Sequence, residues 1–319
     1  MQKEEVLSTV NQHEEIIVKK KTKKITSSSE WVYHVMLLPG MILLGIFSIV
    51  PMFGIVMAFQ NYKPALGILG SEWVGLDHFK YMFQLPDSRQ IFANTIIIAV
   101  GKIIVGMIVP IFFALLLNEA RVTWFKKSVQ TIVYLPNFLS WVVLGTVMSM
   151  MFSMDGMVNN LLAFLGLERI MFLASNTWFR PLLIATDVWK GYGYSTIIYL
   201  AALTSINPAL YESAAMDGAN RLKQIFHITL PSILPTIILL ATLNLGSVLN
   251  AGFDQVFNMY NPIVYKTGDI IDTFVYRMGL INMQYSFATA VGLLKSTVSF
   301  LLIVISYKLA DKYAGYRII

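Results

Sequence analysis

Residues 211–231 read Tyr211-Glu-Ser-Ala-Ala-Met-Asp217-Gly218-Ala-Asn-Arg221-Leu-Lys223-Gln-Ile-Phe-His227-Ile-Thr-Leu-Pro231. Glu212, Asp217, Arg221, Lys223 and His227 crowd into this island, while the long runs on either side are almost free of charge. A loop that only joined two apolar helices could be far shorter and would need no helical pattern. Asn207 is an N-cap residue type, Pro208 suits the first helical position, and Ala209 to Met216 is strongly helix-forming. Gly218 permits the turn that ends this helix, and a second helix is expected from Ala219 to about Ile228, stopping ahead of Pro231. Small side chains at Ser213, Ala214 and Ala215 would let another protein's surface approach closely.

The rest of the chain explains why the island stands out. Of 319 residues, 56% are hydrophobic and 13% charged, about half the charged share of an ordinary soluble domain. Apolar runs fall at about 35–59, 93–117, 128–152, 179–204, 233–253 and 287–307. At 1.5 Å per residue each can cross a hydrocarbon core about 30 Å thick. Barrel strands would alternate polar and apolar residues, which these runs do not. The fold expected is therefore all-α, a polytopic membrane protein with about six transmembrane helices over residues 31–319.

Charge sets an expected orientation. Lys19, Lys20, Lys21, Lys23 and Lys24 precede the first run, the usual cytoplasmic anchor of a first span and a contact for anionic lipid heads rather than nucleic acid. With the N-terminus inside, the inner segments carry 14 Lys and Arg and the outer segments 6. Both termini and the loop 205–232 are then cytoplasmic, and most of that asymmetry comes from the leader. Residues 1–30 form a basic tail expected to be disordered or loosely held. The run from Val35 to Phe59 is too long for a cleaved signal and reads as a signal anchor. The absence of cysteine excludes thiol chemistry, disulfides and cysteine-held metals.

The island also carries a resemblance. Glu212-Ser-Ala-Ala-Met-Asp217-Gly218-Ala219, then nine residues from Gly218 to Ile228-Thr-Leu230-Pro231, resembles the EAA loop of bacterial ABC importer permeases. Ser213 in place of the first Ala is a small-for-small departure. The resemblance implies an EAA coupling helix seated on a cytoplasmic ATPase, with Glu212, Ala214, Ala215, Asp217, Gly218, Ala219, Arg221, Leu230 and Pro231 as coupling residues. It implies ATP and Mg bound by that partner and none by this chain, which agrees with the lack of any G-x-x-x-x-G-K-[ST]. The Asp217-Gly218-Ala219 version is similar to carbohydrate importers. Asn250-Ala-Gly252-Phe253-Asp254-Gln255, Tyr260-Asn261-Pro262, Asp269-Ile-Ile-Asp272-Thr273 and Phe287 to Ser296 resemble the LplB-type polysaccharide permeases within that class. The partners implied are a second permease subunit, two ATPase subunits and an external solute-binding lipoprotein, in a bacterial cell membrane.

A pathway for an oligosaccharide is read from polar groups within the spans, which are costly unless used or paired. Asp187 and Lys190, three apart on one helix face, either neutralise each other or serve a path. Lys102 and Lys295 could bind backbone carbonyls or a partner carboxylate. Trp189, Tyr192, Tyr194 and Tyr199, with Asn244, Asn250 and Asp254, suit a sugar's apolar faces and hydroxyls, and the aromatics equally suit packing between helices. Gly191 and Gly193 could loosen the fourth span and open backbone groups to a cavity. A second reading is an ion-coupled secondary transporter of a polar solute using Asp187, Asp254 or Lys295. No catalytic or metal residues are expected: no carboxylate pair stands out, and the four histidines lie outside the core spans.

Overall fold

The computed structural model describes residues 27–314, so the lysine cluster at 19–24 and most of the tail expected over 1–30 lie outside the described residues. The chain divides into two compact units, 1–55 and 56–319. In the first, helix α1 (Ser27–Leu44) continues through a π-turn, Gly45–Ile49, into Val50–Met52. The larger unit carries α2 (Asp77–Gln84), α3 (Ser88–Glu119), α4 (Thr123–Tyr134), α5 (Trp141–Met151), α6 (Met157–Phe164) and α7 (Phe179–Thr204). It continues with α8 (Pro208–Met216), α9 (Arg221–Leu245), α10 (Phe253–Met259), α11 (Ile271–Tyr276) and α12 (Tyr285–Ala314). A ribbon pairing Gln60 with Trp73 and Asn61 with Glu72 is the one sheet among the described residues. The fold is all-α.

Among the described residues, four helices are long and apolar enough to cross a membrane: Trp31–Phe59, Ser88–Glu119, Arg221–Leu245 and Tyr285–Lys308. The run expected as one span over 128–152 is instead two pieces, Thr123–Phe138 and Trp141–Met151, bent by 105°. The break follows Pro136, which lacks an amide donor, and Ser140 restarts the helix by accepting from the Val143 amide. Counted as one span, this pair makes five. The helix at 179–204 has the length, but Asp187 to Ser195 makes its middle too polar to face lipid. That polarity suits its place in the unit: α7 lies along α3 and also meets α4, α9 and α10.

Gly193 shows how tight the α7–α4 crossing is. A Cβ there would stand 2.4 Å from the Val133 carbonyl oxygen, so only glycine fits. The expectation that Gly191 and Gly193 loosen the helix is corrected, since α7 runs unbroken and Gly193 serves a close approach. Toward one end of α7, Phe179, Leu182 and Leu183 pack with Ile98, Val256, Met259 and Ile270. Toward the other, Tyr199 and Leu203 pack with Ala114 and Ile233.

The segment after α9 is tied down by buried polar groups. Asn94 donates to the carbonyls of Asp269 at 2.9 Å and Lys266 at 3.3 Å and accepts from Arg180 at 2.5 Å. Arg277 grips Asp269 through two contacts, 3.1 and 2.5 Å, and lies over the Tyr265 ring at 4.5 Å. Tyr265 stacks on Tyr260, whose hydroxyl is pushed up to about 12, by burial first and by its neighbour second.

A candidate coupling loop and a polar cavity

The loop between α7 and α9 is built from local capping. The Asn207 side chain accepts from the Ala209 amide at 3.0 Å, and Pro208 fills the first helical position. At the other end Gly218 adopts φ +74°. The Gly218 amide donates to Ala215 O and the Ala219 amide to Ala214 O, the paired bonds of a Schellman cap. Asn220 then caps α9 by accepting from the Lys223 amide at 2.9 Å. No residue of α8 is buried, and Met216, Leu222 and Phe226 stand exposed nearby.

The second helix does not stop ahead of Pro231 as expected. It passes through a π-turn, Ile225–Thr229, and runs on to Leu245. A proline inside an α-helix leaves the carbonyl four residues back without a donor. The wider turn absorbs this, with the Leu230 amide reaching back five residues to Ile225 O. The same device precedes Pro51, where the Val50 amide bonds to Gly45 O. Leu230 and Pro231 thus lie within α9, at the root of the loop.

The expected coupling residues gather on this element. Glu212, Asp217, Gly218 and Arg221 are exposed; Ala214 and Ala219 are partly covered. Ala214 and Ala219, with Lys223, Gln224, His227 and Ile228, line a groove of about 370 Å³. Ala215 lies on the open face of α8.

A second feature lies among α3, α7 and the turn after α9. A cavity of about 310 Å³ is lined by Lys102, Asp187, Ser195, Asn244, Ser247 and Asn250, with Ala99, Ile103, Gly106 and Gly252. Lys102 makes the cradle: its ammonium donates to Ala251 O at 2.7 Å and to Gln255 Oε1, and pairs with Asp187 Oδ1 at 3.2 Å. Gln255, fully buried, donates onward to Leu183 O and Thr186 Oγ1, each at 2.8 Å. The cation's donors are all engaged, and the groups left facing the cavity are hydroxyls, amides and the outer side of the Asp187 carboxylate, the functional groups that hydrogen-bond a polyol.

Of the seven pathway candidates, the structure brings Asn244 and Asn250 to this cavity. Tyr199 is buried against Leu203 and Ile233, Tyr192 packs edge-on to Phe113 at 5.1 Å, and Trp189 and Tyr194 are exposed elsewhere on α7. Asp254 is exposed on α10. Asn250 sits beyond α9, which ends at Leu245 rather than 253. Asp187 and Lys190 do not neutralise each other: Asp187 takes Lys102, while Lys190 donates to Asn137 O at 2.9 Å and lies near the Trp141 ring. Lys295 pairs with Asp272 at 2.5 Å. Ser247 escaped the sequence reading, because a lone serine in an apolar run carries no signal of where it points, and Ser195, in the polar middle of α7, was passed over for the tyrosines beside it.

A model of the family described as binding-protein-dependent transport system inner membrane component matches residues 111–314. The chain belongs to that family. The permease is 44% identical over 302 residues to the polygalacturonan/rhamnogalacturonan transport system permease protein YteP of Bacillus subtilis (strain 168), covering 93% of this chain and 94% of that relative. It is 42% identical over 285 residues to Protein LplB of the same organism, covering 89% of each. Among solved structures, it is similar to a chain of a bacterial alginate ABC transporter in complex with an alginate pentasaccharide-bound periplasmic protein. There the TM-score is 0.83 at 38% identity, covering 91% of this chain and 98% of that one. With its long apolar helices, this permease is a multi-pass membrane protein, and its family is one of transport components rather than enzymes.

Proposed function

We propose that this permease carries a polysaccharide fragment or oligosaccharide across a bacterial cell membrane by alternating access, driven by an ATPase that docks on α8. In this reading both termini and α8 face the cytoplasm, and an external solute-binding lipoprotein delivers the saccharide. A second permease subunit completes the pathway, and two ATPase subunits hold the ATP and Mg. The observation that carries it is the capped α8, which has no buried residue and is joined through the Gly218 turn to the long helix α9. A helix this exposed gains little from its own fold, and the polar handles Glu212 on it, Asp217 at its C-cap and Arg221 at the start of α9 are exposed for a partner.

The substrate class is supported by the relatives, whose names specify polygalacturonan and rhamnogalacturonan for one and alginate for another. The cavity's Asn244, Asn250, Ser195 and Ser247 supply hydrogen bonds for sugar hydroxyls. The Lys102–Asp187 and Lys295–Asp272 pairs are compensated internally, which leaves the exposed Asp254 on α10 as the one group of the three that an ion-coupled mechanism could use. The decisive experiment is reconstitution of the co-purified complex with digests of polygalacturonan, rhamnogalacturonan and alginate. Uptake should require ATP and collapse in Glu212→Lys, with membrane insertion unchanged. Uptake by this chain alone, driven by an ion gradient, would refute the proposal.

A further inference from the structure

We infer that the Tyr211 hydroxyl is a positioning group for coupling, latching α8 to the π-turn at the root of α9 so that the two move together; this rests on the docking role proposed for α8. No residue of α8 is buried, so no apolar contact pins it deeply. Among the described residues, one side-chain bond leaves the helix: the Tyr211 hydroxyl meets Thr229 Oγ1 at 2.9 Å, eighteen residues on.

The receiving end is built for it. Thr229 is 3% exposed and is the last residue of the π-turn. Its hydroxyl donates back to Gln224 O at 3.4 Å, which leaves its lone pairs to accept from Tyr211. Gln224, also buried, donates to Ala219 O at 3.3 Å and so ties the turn after Gly218 to the same spot. A π-turn is a local departure from α-helical register that marks functional segments. Here the register of α9, set by Pro231, is read out through Thr229 onto α8. A shift of α9 about this turn must either carry α8 along or break the Tyr211 bond.

The test is hydrogen exchange of the full importer in nanodiscs, with Tyr211→Phe, Thr229→Val and their double variant. Each single change should speed exchange of the amides in 208–216 about fivefold, the worth of one net hydrogen bond. The double variant should be no faster, and Thr229→Ser should match the unmodified chain. In proteoliposomes, saccharide taken up from a polygalacturonan digest per ATP hydrolysed should fall by a similar factor at unchanged KM for ATP. Unchanged exchange, or additive effects in the double variant, overturns the latch. Faster exchange with an unchanged uptake ratio overturns its role in coupling. Gly218→Pro separates the two readings, because if it too leaves the ratio unchanged, the docking role of α8 has failed.

Discussion

The α8 loop and the Lys102 cradle are built from opposite kinds of contact. The loop is local: Asn207 caps two residues on, Asn220 three, and the Gly218 turn closes within six. The cradle is long-range: Lys102 reaches carbonyl and amide oxygens 149 and 153 residues away and a carboxylate on a different helix. One is exposed and stabilised mainly by its own caps; the other is shielded and depends on three elements meeting. The difference implies an inversion, in which cradle changes cost stability first and loop changes cost transport first.

The largest break in stability is expected at the cradle. Lys102→Met strips the donor from Asp187, Ala251 O and Gln255 together. Severing a fully buried pair costs about 3–5 kcal/mol, and because Asp187 is 35% exposed the loss here should be roughly 3 kcal/mol. Pairing it with Asp187→Leu should recover part of that loss. A thermal melt in detergent reads both, and a Lys102→Met variant as stable as the parent would undo the contrast.

Gly193→Ala comes next. The added methyl meets the Val133 carbonyl and side chain head-on, so overpacking of roughly 1–3 kcal/mol is expected in the same melt. Gly218→Ala is the smallest in stability, about 1 kcal/mol, because an alanine at φ +74° has open space and pays only for the left-handed backbone. Its effect on uptake per ATP should nonetheless exceed that of Gly193→Ala. If it does not, the inversion fails.

Much of the loop was legible in the chain itself. Asn207, Pro208, Gly218 and the Gly-to-Ile-x-Leu-Pro spacing announce a helix, a turn and a second helix, since caps act within a few residues. The error was at Pro231, read as a stop. Proline rules describe an α-helix, and a π-turn two to six residues upstream satisfies them without ending the helix. The aromatics of α7 misled for a related reason. Tyr192, Tyr194 and Tyr199 differ in sequence by a few residues, yet 3.6-residue periodicity sends them to an edge-on stack, an exposed face and a buried core.

Composition and periodicity alone determined that this is an all-helical membrane chain, where four of its long helices lie (35–59, 93–117, 179–204 and 287–307), and that a polar, helix-forming island interrupts the apolar runs. Those properties follow from hydropathy and local backbone chemistry, which each short window carries complete. Only the tertiary structure decided that Asp187 serves Lys102 rather than Lys190, that 128–152 bends by 105°, and that Asn250 faces a cavity from beyond its helix. Each depends on which elements meet across gaps of 85 to 153 residues or on how one helix leans on another. A buried charge takes whichever partner the packing brings within reach, and no window of sequence contains that choice.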